Sequence, residues 1–309
     1  MSAAEPMLTY YDAVTEDFRD GARRAYDFFA VEGIHDLRVA TKKMRAFLRL
    51  VEFIQPAFDA GAHTRVLKPL YGVAGQLRDI DIQQEIILDG LNRYQISEYA
   101  NELKQMEFAL RPALRTSIKE FRSASFAETR RGVDRALKLL TSGDKIDRID
   151  RRLQTLVTDL APLLGRRTAT DLELHDIRKV SKASKYTLDV WQLSTKVIKE
   201  SSQLSAALKD VYTHLGKWHD YRVTAERLST FLKRETPRNL FDQTAYRKFL
   251  NELAVRETEH LRSYRAASKG LSANLKRWKP IVSARPGIVP FTEPETTANQ
   301  TNKEKSTRT

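Results

Sequence analysis

His35-Asp36-Leu37-Arg38-Val39-Ala40-Thr41-Lys42-Lys43-Met44-Arg45-Ala46-Phe47-Leu48-Arg49 is the stretch whose periodicity decides the fold. It contains no Pro or Gly, and its apolar residues recur at intervals of three and four, so it predicts a helix. Each residue then turns by about 100° around the axis. On that wheel His35, Arg38, Lys42, Arg45 and Arg49 share a stripe roughly 80° wide. Ile34, Leu37, Met44, Phe47, Leu48 and Val51 occupy the opposite side. Solvated helix faces usually mix signs, because like charges at i,i+3 and i,i+4 repel. This stripe holds cations and a histidine with no acid among them, so one face suits a core and the other an anion.

The stripe occurs twice. In His175-Asp176-Ile177-Arg178-Lys179-Val180-Ser181-Lys182-Ala183-Ser184-Lys185, residues His175, Arg178, Lys182 and Lys185 repeat the spacing of His35, Arg38, Lys42 and Arg45. Asp189 stands where Arg49 stood, so the second stripe is shorter. A further pair of motifs follows. Leu67-Lys68-Pro69-Leu70-Tyr71-Gly72-Val73-Ala74-Gly75-Gln76-Leu77-Arg78-Asp79 parallels Leu208-Lys209-Asp210-Val211-Tyr212-Thr213-His214-Leu215-Gly216-Lys217-Trp218-His219-Asp220, with Leu, Lys, Tyr, Gly and Asp recurring. Two motifs in one order at nearly constant offset imply a tandem of similar helical halves about a pseudo-two-fold axis. Such an axis brings the two stripes together as one basic channel.

Gly and Pro are sparse until the C-terminus, no run alternates with period two, and the fold class expected is all-α. Helices are expected over about 8–30, 34–55, 62–90, 94–123, 126–141, 146–164, 171–194, 199–234 and 242–269. Gly33 separates the first two, Pro56 closes the second and Pro237 follows the eighth. Pro69 and Pro112 kink their helices or mark where they start. Thr170-Asp171-Leu172-Glu173 has the form of a capping box. Ser142-Gly143-Asp144 is the expected joint between halves, and the Pro-, Thr-, Asn- and Lys-rich stretch 285–309 reads as a disordered tail. Gly75 and Gly216 read as sites of close helix packing, and Asp79 and Asp220 as partners of arginines. Asp36 and Asp176 suit helix N-termini and can pair with a neighbouring cation. Trp191, Trp218 and Trp278 read as packing residues.

The 309 residues carry a formal net charge of +13, which points to a polyanionic partner. With 30% charged and 41% hydrophobic residues the chain is globular. The absence of cysteine removes disulfides, thiolate metal sites and cysteine nucleophiles. Met1-Ser2-Ala3-Ala4-Glu5-Pro6 lacks the pattern of a signal peptide, and the expectation is a cytoplasmic protein.

Three His-Asp dipeptides, at His35, His175 and His219, raise the alternative of an HD-like metal-dependent phosphohydrolase. A divalent ion needs neutral imidazoles and carboxylates around it, and His35 and His175 instead lie among Arg and Lys. Metal ligands, cofactors and catalytic residues are therefore expected to be none. An anion uses every stripe residue, with the arginine forks and lysine charges gripping oxygens and histidine donating an N–H. Rows of cations along helices suit a flexible linear polyanion. Interleaved Asn, Gln or aromatics for base reading are missing, so nucleic acid is expected to bind only non-specifically, as a basic scaffold would hold it.

At these residues the sequence resembles the conserved histidine α-helical domain (CHAD) family, in which each half carries a histidine followed by basic residues at i+3, i+7 and i+10. His35/Arg38/Lys42/Arg45 and His175/Arg178/Lys182/Lys185 match that pattern, as does Leu77-Arg78-Asp79-Ile80-Asp81. The resemblance covers roughly residues 8–280, in halves of about 8–141 and 145–280. It implies two pseudo-symmetric four-helix-bundle halves around a central basic channel, with inorganic polyphosphate as the ligand and polyphosphate granules as a location. Many such proteins also carry a CYTH triphosphate-tunnel domain, whose Glu-x-Glu-x-Lys motif is missing, so no triphosphatase activity is expected. Lys185 in place of the commoner Arg, and Asp189 in the stripe, imply a weaker grip by the second half. The expected phosphate-binding residues are His35, Arg38, Lys42, Arg45 and Arg49 with His175, Arg178, Lys182 and Lys185. Lys68 and Lys209, repeated on the third helices, and Arg262 and Arg265 on the last helix, are second-tier candidates.

Overall fold

A computed structural model describes residues 4–94, 96–121, 124–164, 166, 169–195, 199–234 and 240–278. Among the described residues the chain is all-α. Its helices are α1 (Ala4–Phe28), α2 (Val31–Ile54), α3 (Ala60–Arg65), α4 (Lys68–Tyr94), α5 (Ser97–Glu120), α6 (Ala124–Lys138), α7 (Ser142–Leu164), α8 (Asp171–Ser194), α9 (Lys199–Arg234) and α10 (Leu240–Arg277).

Local chemistry explains the boundaries. Thr170 and Glu173 form the expected capping box, the Glu173 carboxylate accepting from the Thr170 N–H at 2.7 Å and Thr170 Oγ1 from the Glu173 N–H at 3.3 Å. Thr141 and Asp144 cap α7 in the same reciprocal way, at 3.2 and 3.3 Å. Ser142-Gly143-Asp144 is therefore the first turn of a helix, and the break falls just before it. The single helix expected over 62–90 is divided into α3 and α4. Pro69 sits in the first turn of α4, where its missing N–H has no intrahelical partner to lose. Pro112 lies inside α5 without ending it. Gly33 belongs to α2, and the break falls instead at Phe29, which takes a positive φ of 50°. A Cβ on Gly33 would meet the Ala25 backbone nitrogen at 2.8 Å, and one on Gly21 the Leu37 nitrogen at 2.6 Å. Those glycines let α1 and α2 lie in near-backbone contact. Pro237 and the stretch 285–309 lie outside the described residues.

The halves repeat in three dimensions. The bounds of α8 are those of α2 displaced by 140 residues at both ends. Within the first half α1 packs on α2, α2 on α4 and α4 on α5; in the second, α7 packs on α8, α8 on α9 and α9 on α10. Between halves α2 meets α8, α4 meets α9, and α1 lies on α8 as α7 lies on α2. A two-fold operation exchanges each of these contacts with itself or its partner, while α3 and α6 are additions to the first half. One apolar core runs through both halves, from Met7, Phe18, Leu37 and Phe47 to Leu153, Ile177, Trp191 and Leu215. A second cluster joins α4 and α5 to α9 and α10 through Ile87, Tyr99, Phe231, Tyr246 and Phe249. The three tryptophans are buried, Trp191 edge-on to Trp278 and Trp218 donating to Glu257 at 3.1 Å. No helix among the described residues is long and apolar enough to cross a membrane.

Candidate functional site

The two faces of α2 divide as their periodicity requires. Ile34, Leu37, Met44, Phe47, Leu48 and Val51 are all buried in the core. Arg38, Lys42 and Arg45 are half-buried, and His35 and Arg49 stand exposed at the margins. On α8, Leu174, Ile177, Leu188 and Trp191 anchor the equivalent buried face, with His175, Arg178 and Lys182 on the other.

Because α2 and α8 meet across the pseudo-axis, their stripes face one cavity of about 760 Å³, floored by α4 and α9. His35, Arg38, Lys42, Arg45, Arg49, His175, Arg178 and Lys182 all line it. Lys185 does not: its ammonium is held by Asp189 on the next turn. Lys68 and Lys209 point to solvent from α4 and α9, and Arg262 and Arg265 from α10; none of the four reaches the channel. The substitution that shortens the second stripe thus also withdraws its last lysine.

The third helices contribute what the stripes alone do not indicate. Tyr71 and Tyr212, equivalent in the two halves, line the cavity. The Arg38 and Arg45 guanidinium carbons each lie 5.1 Å from the Tyr71 ring centre, and Lys182 Nζ lies 5.4 Å from that of Tyr212. These rings hold the cations in place by cation–π attraction without neutralising them. A Cβ on Gly75 would sit 2.5 Å from Arg38 Nη1, and one on Gly216 would sit 3.9 Å from Arg178 Nε. Gly75 therefore makes room for a stripe arginine rather than for a helix backbone, whereas at Gly216 a methyl would make only an ordinary contact with Arg178. Arg78, Asp79, Lys217, His219 and Asp220 complete the floor, and Arg152 of α7, Lys179 and Tyr186 extend the lining. The signal for the floor was present in the repeat: 71, 75, 78 and 79 lie on one helical face, as do 212, 216, 219 and 220. Arg152 has no such signal, since its counterpart is Asp12.

Acids are few and mostly engaged elsewhere. Asp36 pairs with Arg24 at 2.7 Å and Asp176 with Lys179 at 2.7 Å. Asp79 lies 3.8 Å from Arg227, and the Asp220 carboxyl is pushed up by burial against the pull of Arg178. The result is an uncompensated cluster. Burial, then Lys182, Arg38 and Arg178, lower Lys42 to about 7. Burial and Arg178 lower Lys182 to about 8. Partial burial and Arg78 lower His35, and burial with Lys179 and Arg178 lowers His175. An anion reverses each shift, because a negative group between these cations supplies the stabilisation that water no longer gives. Among the described residues no group of three His, Asp or Glu side chains converges as a metal site.

The same architecture is found in solved structures. A CHAD domain from the plant Ricinus communis superposes with a TM-score of 0.71 over 91% of this chain and 93% of its own, at 17% identity. PptA from Streptomyces chartreusis gives a TM-score of 0.54 over 89% of this chain and 100% of its own, at 14% identity. No curated protein matches the sequence significantly. The model of the CHAD domain matches residues 10–229, which span both stripes and both third-helix motifs. With the doubled stripe, the two-fold arrangement of helices and that match in hand, the chain belongs to the CHAD domain family.

Proposed function

We propose that this protein binds long-chain inorganic polyphosphate in the channel between α2, α4, α8 and α9, without catalysis. The observation that carries the reading is the convergence of both stripes on one cavity, where burial beside other cations lowers Lys42 to about 7 and Lys182 to about 8. Cations in that condition await a counter-ion, and the channel offers many of them in sequence along two helices. A chain with a charge at every repeat satisfies them one after another. Arg38, Arg45 and Arg178 supply forked contacts to the phosphate oxygens, and Lys42 and Lys182 supply point charges at the axis. His35 and His175 donate from the two ends of the stripes. The same affinity takes the protein to polyphosphate granules in the cytoplasm.

A titration with polyphosphate at two salt concentrations tests this, repeated with Arg38→Ala and Arg178→Ala combined. The expected log affinity falls linearly with log salt, with a slope of several units, and the double variant loses at least about tenfold. Normal binding by the double variant would reduce the stripes to solvated faces. RNA or DNA binding as tightly at the same salt would replace the ligand. Metal-dependent phosphate release that disappears in His35→Ala would replace binding with hydrolysis.

A further inference from the structure

The halves match along their third helices, and one mismatch falls inside the channel. Where α4 carries Arg78, α9 carries His219, and an aspartate follows each. Both line the cavity. Arg78 acts on His35, whereas His219 lies against His175 with ring centres 5.9 Å apart. One half therefore couples its stripe histidine to a permanent cation, and the other couples it to a second imidazole.

Building on the polyphosphate reading, we propose that His175 and His219 form a two-imidazole phosphate subsite, in which His219 is the phosphate-contacting counterpart of Arg78 and takes up a proton as the anion enters. Rings this close lie within reach of a single phosphate group, whose oxygens accept an N–H from each. The groups facing His219 are known from each helix packed around it. Those acting on it are His175 and Arg178 on α8, Asp79 on α4 and Glu226 on α9; Lys179 of α8, Arg78 of α4, and Lys217 and Asp220 of α9 line the same cavity, and α10 supplies no residue to it among those described. Burial, Arg178 and His175 lower the His219 pKa, against weaker opposition from Asp79 and Glu226. Burial, Lys179 and Arg178 lower His175. In the empty channel both rings are thus neutral near neutral pH, each with one N–H to offer. A phosphate oxygen beside them favours the imidazolium, so a proton is drawn from solvent and the hydrogen bonds become charge-assisted. The second half then acquires the charge that Arg78 gives the first at every pH.

The test uses the full chain and polyphosphate of defined length from about pH 5.5 to about pH 7, with each variant compared with the unaltered protein at the same pH, so that the titration of Lys42 at about 7 is common to both. His219→Arg is expected to bind about two- to fivefold tighter at about pH 7 and to lose part of the gain on acidification that the unaltered protein shows. In NMR spectra of the unaltered protein, the ring signal that His219→Ala lacks is expected to move towards the imidazolium position when polyphosphate is added at about pH 7. Binding with that signal unmoved, or a His219→Arg variant whose affinity tracks the unaltered protein throughout, overturns the subsite and leaves the channel reading standing. Absence of polyphosphate binding by the unaltered protein overturns both.

Discussion

Lys42 has given up most of its water without gaining an acid at close range. Three cations, Lys182, Arg38 and Arg178, act on it ahead of Asp79, and its pKa falls to about 7 from the usual lysine value. The folded chain therefore holds fewer protons here than the unfolded chain between about pH 7 and the ordinary lysine range. Because the folded pKa is the lower one, the penalty is complete below about pH 7 and is relieved as pH rises through that value. Lys42→Met keeps the stem and removes the charge. It is expected to raise the midpoint of thermal unfolding at neutral pH by about 2–4 °C while weakening polyphosphate binding by about two- to tenfold. Thermal scans and titrations on one preparation check this. A variant that loses stability and binding together would mean that the ammonium is a structural group, whereas the opposed signs mark strain held for a ligand.

At the scale of the element, α2 and α8 were legible because one period governs both their faces. Apolar residues at three- and four-residue spacing must be buried, and the cations between them must then share the other side. The floor was less legible. Tyr71 and Gly75 recur as Tyr212 and Gly216, but a glycine within a helical pattern reads first as a packing site, and only the structure shows that at Gly75 an arginine fills the space. Lys185 was misplaced because spacing sets the direction of a side chain and not its partner, and Asp189, one turn on, captures it. The capping box of Thr170 and Glu173 marked the start of α8 and Pro56 the end of α2, whereas α2 starts before Gly33, and α7, capped by Thr141 and Asp144, starts before the expected residue 146. The glycines give an asymmetric prediction. Ala is preferred to Gly inside a helix by about 0.5–1 kcal/mol, so both Gly75→Ala and Gly216→Ala should stiffen their helices. At Gly216 the new methyl has room, and binding is expected to be unchanged. At Gly75 it displaces the Arg38 guanidinium from beside Tyr71, and affinity is expected to fall by about two- to tenfold. Equal losses in the two variants, measured by titration, would show that the glycines serve the backbone and not the arginines.

At the scale of the molecule, the channel exists because two halves share one apolar core. Residues of α1, α2, α7, α8 and α9 belong to a single buried cluster, and the second cluster again draws on both halves. Neither half can bury its face alone, so unfolding of one exposes the other. The like charges of the two stripes work against that core, since Lys182 and Arg178 act across the pseudo-axis on Lys42. Calorimetry of the free protein is accordingly expected to show one cooperative transition. On the proposed reading polyphosphate needs both stripes assembled, so it is expected to raise that transition without splitting it. A ligand present at about a hundred times its dissociation constant contributes about 2.7 kcal/mol, which corresponds to roughly 4–5 °C for a chain of this size. The shift should shrink as salt is added, because phosphate contacts are exchanged for counter-ions. It should also be largest below about pH 7 and diminish as pH rises through about 7 and about 8, where Lys42 and then Lys182 lose their protons in the empty channel. Two resolved transitions, only one of them responding to polyphosphate, would mean that a single half holds the ligand and that the shared channel is not the site.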